Sequence, residues 1–327
     1  MDNNFIQRVL DENKELASLP QTMAEVIRIA RDENSSAEQL ARVMKRDPAL
    51  TARVLRMVNS PFYGRSRQIS SMTEAVVTIG MRQITALALS TSVYQMTDNW
   101  ESGLDRVRFW RHSLEVAIAA QTIAEKAGYR NGEEVFAGGL LHDIGLLVLE
   151  KSFPEQFGEV WNRAEREGRL TELENEYWGT DHAHVGQFLL EQWQLPESIC
   201  TAVGGHHKVF GPESKTLELI PCMIVNLAHL VSKFSISSEL VISSAILINK
   251  EILRNSLDIP STDLLTVEKE LFSRTMAEAS YLEIDVGSID DILLEANRML
   301  FDQYVTVENL LKEVRDLKNQ VVQYQTA

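Results

Sequence analysis

Gly138-Gly139-Leu140-Leu141-His142-Asp143-Ile144-Gly145-Leu146-Leu147 sets an imidazole and a carboxylate side by side in an otherwise apolar run. Burying that pair among leucines is costly unless hydrogen bonds, a countercharge or a metal ion satisfy its polar atoms. On one helix, adjacent residues project about 100° apart, so both serve a single centre only where the helix presents an edge to it. Gly138, Gly139 and Gly145 would permit that close approach, although each lowers helix propensity by about 1 kcal/mol. The plainer alternative is a buried histidine bonded to its neighbour or to backbone, since most His-Asp dipeptides carry no chemistry.

Outward from this stretch, nearly every segment has helical spacing. Met23, Val26, Ile27 and Ala30 mark one buried face. Ser35-Ser-Ala-Glu38 has capping-box form ahead of a helix through Met44. Asp47 followed by Pro48 reads as an N-cap with proline at the first helical position, opening a helix from Ala49 to Asn59. Ser71-Met-Thr-Glu74 repeats the box before Val76, Val77 and Ile79, with Ile84, Leu87 and Leu89 beyond Gly80. A longer helix is expected from Val107 to Lys126, carrying His112 and turning Phe109, Leu114, Ala117, Ile118, Ala120 and Ile123 toward a core. Another begins at Asp181 and runs through Trp193; Pro196 restarts helix toward Gly204-Gly-His206-His207, and two apolar helices follow Pro221. No stretch alternates as a strand would, so the expected fold class is all-α.

The last segment differs. Leu293, Leu300, Val307, Val314 and Val321 repeat every seventh residue, with Ala296, Gln303, Leu310, Leu317 and Tyr324 at the complementary positions. Valine at a with leucine at d favours a parallel two-stranded coil, and Glu313 reaches toward Lys318 of a partner helix. The alternative is a single amphipathic helix folded back on its own domain. A homodimer through this helix is expected, and the heptads run on almost to Ala327 as though feeding a further output module.

Composition narrows the function classes. The chain has 327 residues and a formal charge of -15, which argues against general nucleic-acid binding because phosphate contacts need a positive field. Basic residues do cluster between Arg42 and Arg82, where Arg42, Lys45, Arg46, Arg53, Arg56, Arg65, Arg67 and Arg82 face only Asp47 and Glu74. That is either a docking face for an acidic partner or a solvated surface paired with the acidic remainder of the molecule. Apolar runs fall short of the roughly 20 residues that cross a bilayer, so no membrane association is expected. The start lacks the basic and apolar regions of a secretory signal, and Cys200 and Cys222 fit buried thiols of a reduced, cytoplasmic protein better than one disulfide.

Six of the 7 histidines fall in order as His112, His142 before Asp143, His182 with His184, and His206-His207. Imidazole nitrogens and carboxylate oxygens suit iron, manganese, zinc or nickel, and adjacent helices can converge them on one point. His182 and His184 project about 200° apart, so one of the two faces a common site, and His184 is assigned to solvent or packing. This order resembles the HD superfamily of metal-dependent phosphohydrolases. There, the resemblance implies, histidine, His-Asp and a later aspartate bind one metal, extra histidines support a second, and metal-activated water attacks phosphorus.

A closer similarity covers roughly residues 15–235. Leu19-Pro20, Asp47-Pro-Ala-Leu-Thr-Ala-Arg-Val-Leu55, Val58-Asn-Ser-Pro-Phe-Tyr-Gly64, Ile69-Ser-Ser71, Ala75-Val-Val-Thr-Ile-Gly80, Phe109-Trp-Arg-His112, Gly139-Leu-Leu-His-Asp-Ile-Gly145 and Asp181-His-Ala-His-Val-Gly186 together resemble the HDOD family. So do Gln192-Trp193, Leu195-Pro196 and His206-His207 after them. The resemblance implies an HD-like helical bundle at 15–235, its core at about 101–235; beyond it the residue pattern adds a helical extension at 236–290 and the coiled-coil helix at 291–327. It carries over His112, His142, Asp143, His182, His206 and His207 as metal ligands.

Two departures bear on activity. The closing aspartate of the HD pattern is replaced at Asn226-Leu-Ala-His229, and Arg108 stands where a carboxylate is expected one turn before the first histidine. The cyclic-di-GMP phosphodiesterases of the HD-GYP type carry Gly-Tyr-Pro after the double histidine, whereas this chain has His207-Lys-Val-Phe-Gly-Pro212. The expectation is therefore a regulatory protein that senses a ligand or protein partner, with no catalytic residue assigned. The alternative is a metal-dependent phosphohydrolase acting on a nucleotide or phosphate ester.

Overall fold

The computed structural model describes residues 3–12, 18–32, 34–60, 63, 67–98, 103–211, 214, 216–232, 244–294 and 297. Every regular element among them is helical: α1 Asn3–Glu12, α2 Gln21–Arg31, α3 Ala37–Met44, α4 Pro48–Val58, α5 Met72–Ile79, α6 Met81–Asp98, α7 Arg106–Lys126, α8 Gly132–Leu141, α9 Ile144–Ser152, α10 Pro154–Glu167, α11 Leu170–Trp178, α12 His182–Gln192, α13 Glu197–Gly204, α14 Ile220–Val231, α15 Ser244–Ser256 and α16 Ser261–Leu282. A 3-10 turn, Leu217–Leu219, leads into α14. The described residues up to Val286 belong to one compact unit, and those from Gly287 to 297 lie outside it.

Local chemistry explains the boundaries. Asp47 caps α4 by accepting the Leu50 N–H at 3.0 Å, with Pro48 in the first turn where its missing N–H costs nothing. Asp181 caps α12 by accepting the His184 N–H at 3.0 Å. The cap of α3 lies one residue beyond the expected place: Ser36 accepts from Gln39 N–H and Gln39 accepts from Ser36 N–H, while the Ser35 hydroxyl turns to Asp32. Gly80, at φ 109°, ends α5 and bends the chain by 120° into α6. Among the described residues no single helix is long and apolar enough to cross a membrane.

The long helix α7 is the centre of the bundle, buried along most of its length from Phe109 to Ala124. Helices α8, α14 and α16 pack against it, and α13 bridges α8, α12 and α14. The N-terminal helices join through α6, which lies on α8. Gly139 makes the tightest of these approaches possible, because a Cβ there would fall 2.8 Å from the Ala117 Cα. In the basic segment, Arg46 pairs with Glu25 at 2.7 Å, and Arg53 and Arg56 pair with Glu283 at 3.1 and 2.7 Å, so part of its charge meets the acidic remainder of the chain. Of the Phe62-Tyr63-Gly64 turn only Tyr63 is described, and beyond Leu293 the heptad positions lie outside the described residues.

Candidate metal centre

His142 and Asp143 do not sit inside a helix. They occupy the junction between α8, which ends at Leu141, and α9, which starts at Ile144. The break removes the 100° problem, since two residues at a turn can face one point without a helical edge. Gly145 lets α12 close over this junction: a Cβ there would fall 1.9 Å from the His182 carbonyl oxygen.

Asp143 stands between two sets of imidazoles. Its Oδ2 lies 3.1 Å from His142 Nε2 and 3.6 Å from His112 Nε2. Its Oδ1 lies 3.4 Å from His182 Nε2 and 3.3 Å from His206 Nε2. His229 completes the first set, with Nδ1 3.3 Å from His142 Nε2, and His207 completes the second, with Nε2 3.0 Å from His182 Nε2. The ligand atoms of His112, His142 and His229 all lie within 4.8 Å of one another, as do those of Asp143, His182, His206 and His207. His112, His142, Asp143, His182 and His206 are buried, while His207 and His229 are half-buried. All six residues named from the sequence thus converge, His229 joins them, and His184 points away to Asp181 at 3.2 Å.

The outer nitrogens fix how the rings present themselves. His142 Nδ1–H donates to Gly139 O at 2.7 Å, and His206 Nδ1–H donates to Val203 O at 2.6 Å. His182 gives both its backbone N–H and its Nδ1–H to Glu174 Oε2, at 3.0 and 2.7 Å. His112 Nδ1–H donates to Ser232 Oγ at 3.1 Å, and that hydroxyl donates onward to Glu115. With protons held on Nδ1, the Nε2 lone pairs turn inward. His112 and His142 therefore face each other, Nε2 to Nε2, at 3.2 Å, and His182 and His206 do so at 3.3 Å. Facing lone pairs repel unless a cation lies between them. Two nitrogens held by one ion at about 2.0–2.1 Å stand roughly 3 Å apart, so the spacing fits a metal. Backbone and carboxylate acceptors behind ligating histidines are the usual support of such a site.

Electrostatics agree with the geometry. Burial alone would raise the Asp143 carboxyl, but His142 beside it, with the His182 and His206 imidazoles close by, holds it well below the usual carboxylate range. Burial pushes His206 down to about 4, against the pull of Asp143, and pushes His207 and His229 well down together with their imidazole neighbours. These rings are neutral near neutral pH, the form in which an imidazole can ligate a metal. His182 is the exception: burial opposes its charge, yet Glu174 and Asp143 raise it well above the ordinary imidazole value. Without a metal, a proton on His182 supplies the positive charge the two carboxylates require.

Glu174 and Glu115 were not apparent in the sequence. Glu115 follows His112 by three residues on the same helix, a spacing that placed it on the His112 face. Glu174 carries no such signal, because it reaches His182 from α11 across an αL turn at Gly179.

A profile of the HDOD domain matches residues 16–209, and the chain belongs to that family. Over 206 residues it is 25% identical to an uncharacterized protein of Treponema pallidum (strain Nichols); the match takes in 62% of this chain but 39% of that relative. The fold is similar to that of an HDOD domain protein of unknown function from Geobacter sulfurreducens, at 26% identity and a TM-score of 0.63, covering 82% of this chain and 92% of the other. It also resembles a provisionally named phosphohydrolase from Shewanella amazonensis SB2B, at 24% identity and a TM-score of 0.61 over 84% and 97% of the two chains. A provisionally named signal transduction protein from Marinobacter aquaeolei VT8 shares the fold at 20% identity and a TM-score of 0.65, over 87% of this chain and 64% of that one.

Proposed function

We propose that this chain is a regulatory protein of signal transduction whose helical body binds two divalent ions around Asp143, and that metal loading sets its signalling state without substrate turnover. The observation that carries the reading is the division of donors: Asp143 Oδ1 joins the set of His182, His206 and His207, while its Oδ2 lies against His142 and His112 of the set that His229 completes. Four protein donors close a tetrahedral site, whereas catalytic zinc sites keep a position open. His112, His142, His229 and Asp143 would hold one ion, and His182, His206, His207 and Asp143 the other. The heptads of residues 291–327 supply the route by which a change of state would pass to a second copy or an output module in the cytoplasm.

A second reading, metal-dependent phosphate-ester hydrolysis, is favoured by one feature. His207 borders an open cavity of about 930 Å3 that also touches Asp181, His184 and Lys208, so the second imidazole set has a way in from solvent. A bound octahedral ion would keep positions free and supply Lewis acidity and activated water. His207 and Lys208 would orient a phosphate arriving there.

The deciding experiment loads the chelated protein with zinc, manganese or iron. It then measures phosphomonoester and phosphodiester turnover together with hydrogen exchange in α8 and α13. Metal-dependent protection without turnover supports regulation. Turnover abolished in His207→Ala sinks it in favour of hydrolysis.

A further inference from the structure

A second cavity, of about 700 Å3, lies away from the metal centre where the N-terminal helices α2 and α6 meet α8 and α13. Its size falls within the roughly 300–1,000 Å3 of small-molecule sites. Ile27, Met81, Leu89 and Ile199 give it apolar walls. At the floor is Glu134, a carboxylate only 6% exposed, which accepts from the Ser198 hydroxyl at 2.6 Å. At the rim stand two guanidinium groups: Arg31, steadied by donating to Gln194 Oε1 at 2.7 Å, and Arg82, which makes no ion pair among the described residues. The rim also carries Asp32, whose carboxylate is engaged in its own turn by Asn34 N–H at 3.0 Å and Ser35 Oγ at 3.1 Å.

A buried acceptor, apolar walls and paired cations at the opening define a ligand by elimination. An aliphatic acid leaves Glu134 unmatched, and an apolar molecule leaves both it and the arginines unmatched. A flat head that donates hydrogen bonds, joined to an anionic tail, satisfies all three. We propose that this cavity binds a purine mononucleotide with its base toward Glu134 and its phosphate toward Arg31 and Arg82. Guanine suits the floor better than adenine, because its N1–H and N2–H donors lie side by side against a carboxylate, whereas adenine sets an acceptor beside its amino group.

The position gives such a ligand a mechanical connection. Glu134 lies in the first turn of α8, eight residues before His142, and Ser198 lies in the first turn of α13, eight residues before His206. One hydrogen bond at the cavity thus ties together the two helices that deliver ligands to the metal centre about 12 Å away. Tyr129, on the cavity wall, has its phenol raised by burial and by Glu134, and so keeps its proton as a further donor.

Calorimetric titration of guanosine monophosphate into the full chain tests the assignment. Saturable binding is expected, weakened about ten- to hundredfold by Arg82→Ala and by Glu134→Gln, and retained in His207→Ala. Arg82 is exposed, so its variant folds as the parent does. Adenosine monophosphate is expected to bind at least about tenfold more weakly. No saturable binding, binding indifferent to both cavity variants, or equal binding of the two nucleotides would overturn the proposal. Binding lost in His207→Ala but kept in Arg82→Ala would also overturn it, by placing the nucleotide at the metal centre. The assignment stands apart from the metal reading, since none of its contacts is a metal ligand.

Discussion

Gly145 and His182 meet so closely that only hydrogen fits between them: a Cβ on Gly145 would lie 1.9 Å from the His182 carbonyl oxygen and 2.8 Å from the Gly186 nitrogen. Backbone, unlike a flexible side-chain tip, cannot step aside without moving all of α12. Gly145→Ala is expected to destabilise the chain by about 2–3 kcal/mol and to displace His182 from Asp143. Urea unfolding with a midpoint equal to the parent's would refute this.

Ion content follows from the bridging carboxylate. The parent is expected to retain two divalent ions after dialysis, one for each imidazole set, and His229→Ala and His207→Ala to lose one apiece. Asp143→Ala should lose both, because its Oδ1 lies against His182 and His206 and its Oδ2 against His142 and His112. Elemental analysis of the loaded variants reads this directly; a single ion lost from Asp143→Ala would mean the sets are independent.

Glu174 touches no ion position, yet it holds His182 by two hydrogen bonds. Replacing it by glutamine is expected to weaken binding at the His182 set by about ten- to hundredfold while leaving the His112 set intact. Competition against a chromophoric chelator measures the two affinities separately. Equal weakening of both sets would count against a role confined to His182.

Acid should act on α12 through its cap. Burial opposes the charge on Asp181, but hydrogen bonds from His184 and the nearby His182 pull its carboxyl well below the usual range. A depressed folded-state value stabilises the fold above the unfolded value, near pH 4, and the effect is lost as pH falls through the folded one. Asp181→Asn keeps the capping geometry without the charge. It is expected to be less stable than the parent at pH 7, with the gap closing below about pH 4. A gap that stays constant with pH would exclude the charge as its cause.

Cys200 and Cys222 are free and buried, with thiols pushed by burial up to about 12. Neither should react with iodoacetamide in the native chain at pH 7.5, and both should react in urea. Rapid native labelling, counted by mass spectrometry, would contradict the packing around them.

Much of this architecture was legible in the sequence because its determinants are local. Asp47-Pro48 and Asp181 start helices through hydrogen bonds that span three residues, and the apolar face of α7 follows from spacing alone. The six residues named from the sequence come together in space. What could not be read depends on chain segments meeting in space. The break that puts His142 and Asp143 on a turn lies where α12 closes on Gly145, and the support from Glu174 arrives from another helix. His229 replaces the carboxylate of the family pattern, and its place beside His142 sets it among the candidate donors without bringing a negative charge.

The ligands come from α7, the α8–α9 junction, α12, the end of α13 and α14, and the His112–Ser232 contact joins residues 120 apart in the chain. Closing loops of that length before packing is entropically costly, so no part of the site is assembled in the unfolded chain. An ion held by these donors would thereby be captured late, by molecules whose bundle is already complete. A zinc finger uses metal to nucleate its fold; here the fold would have to come first.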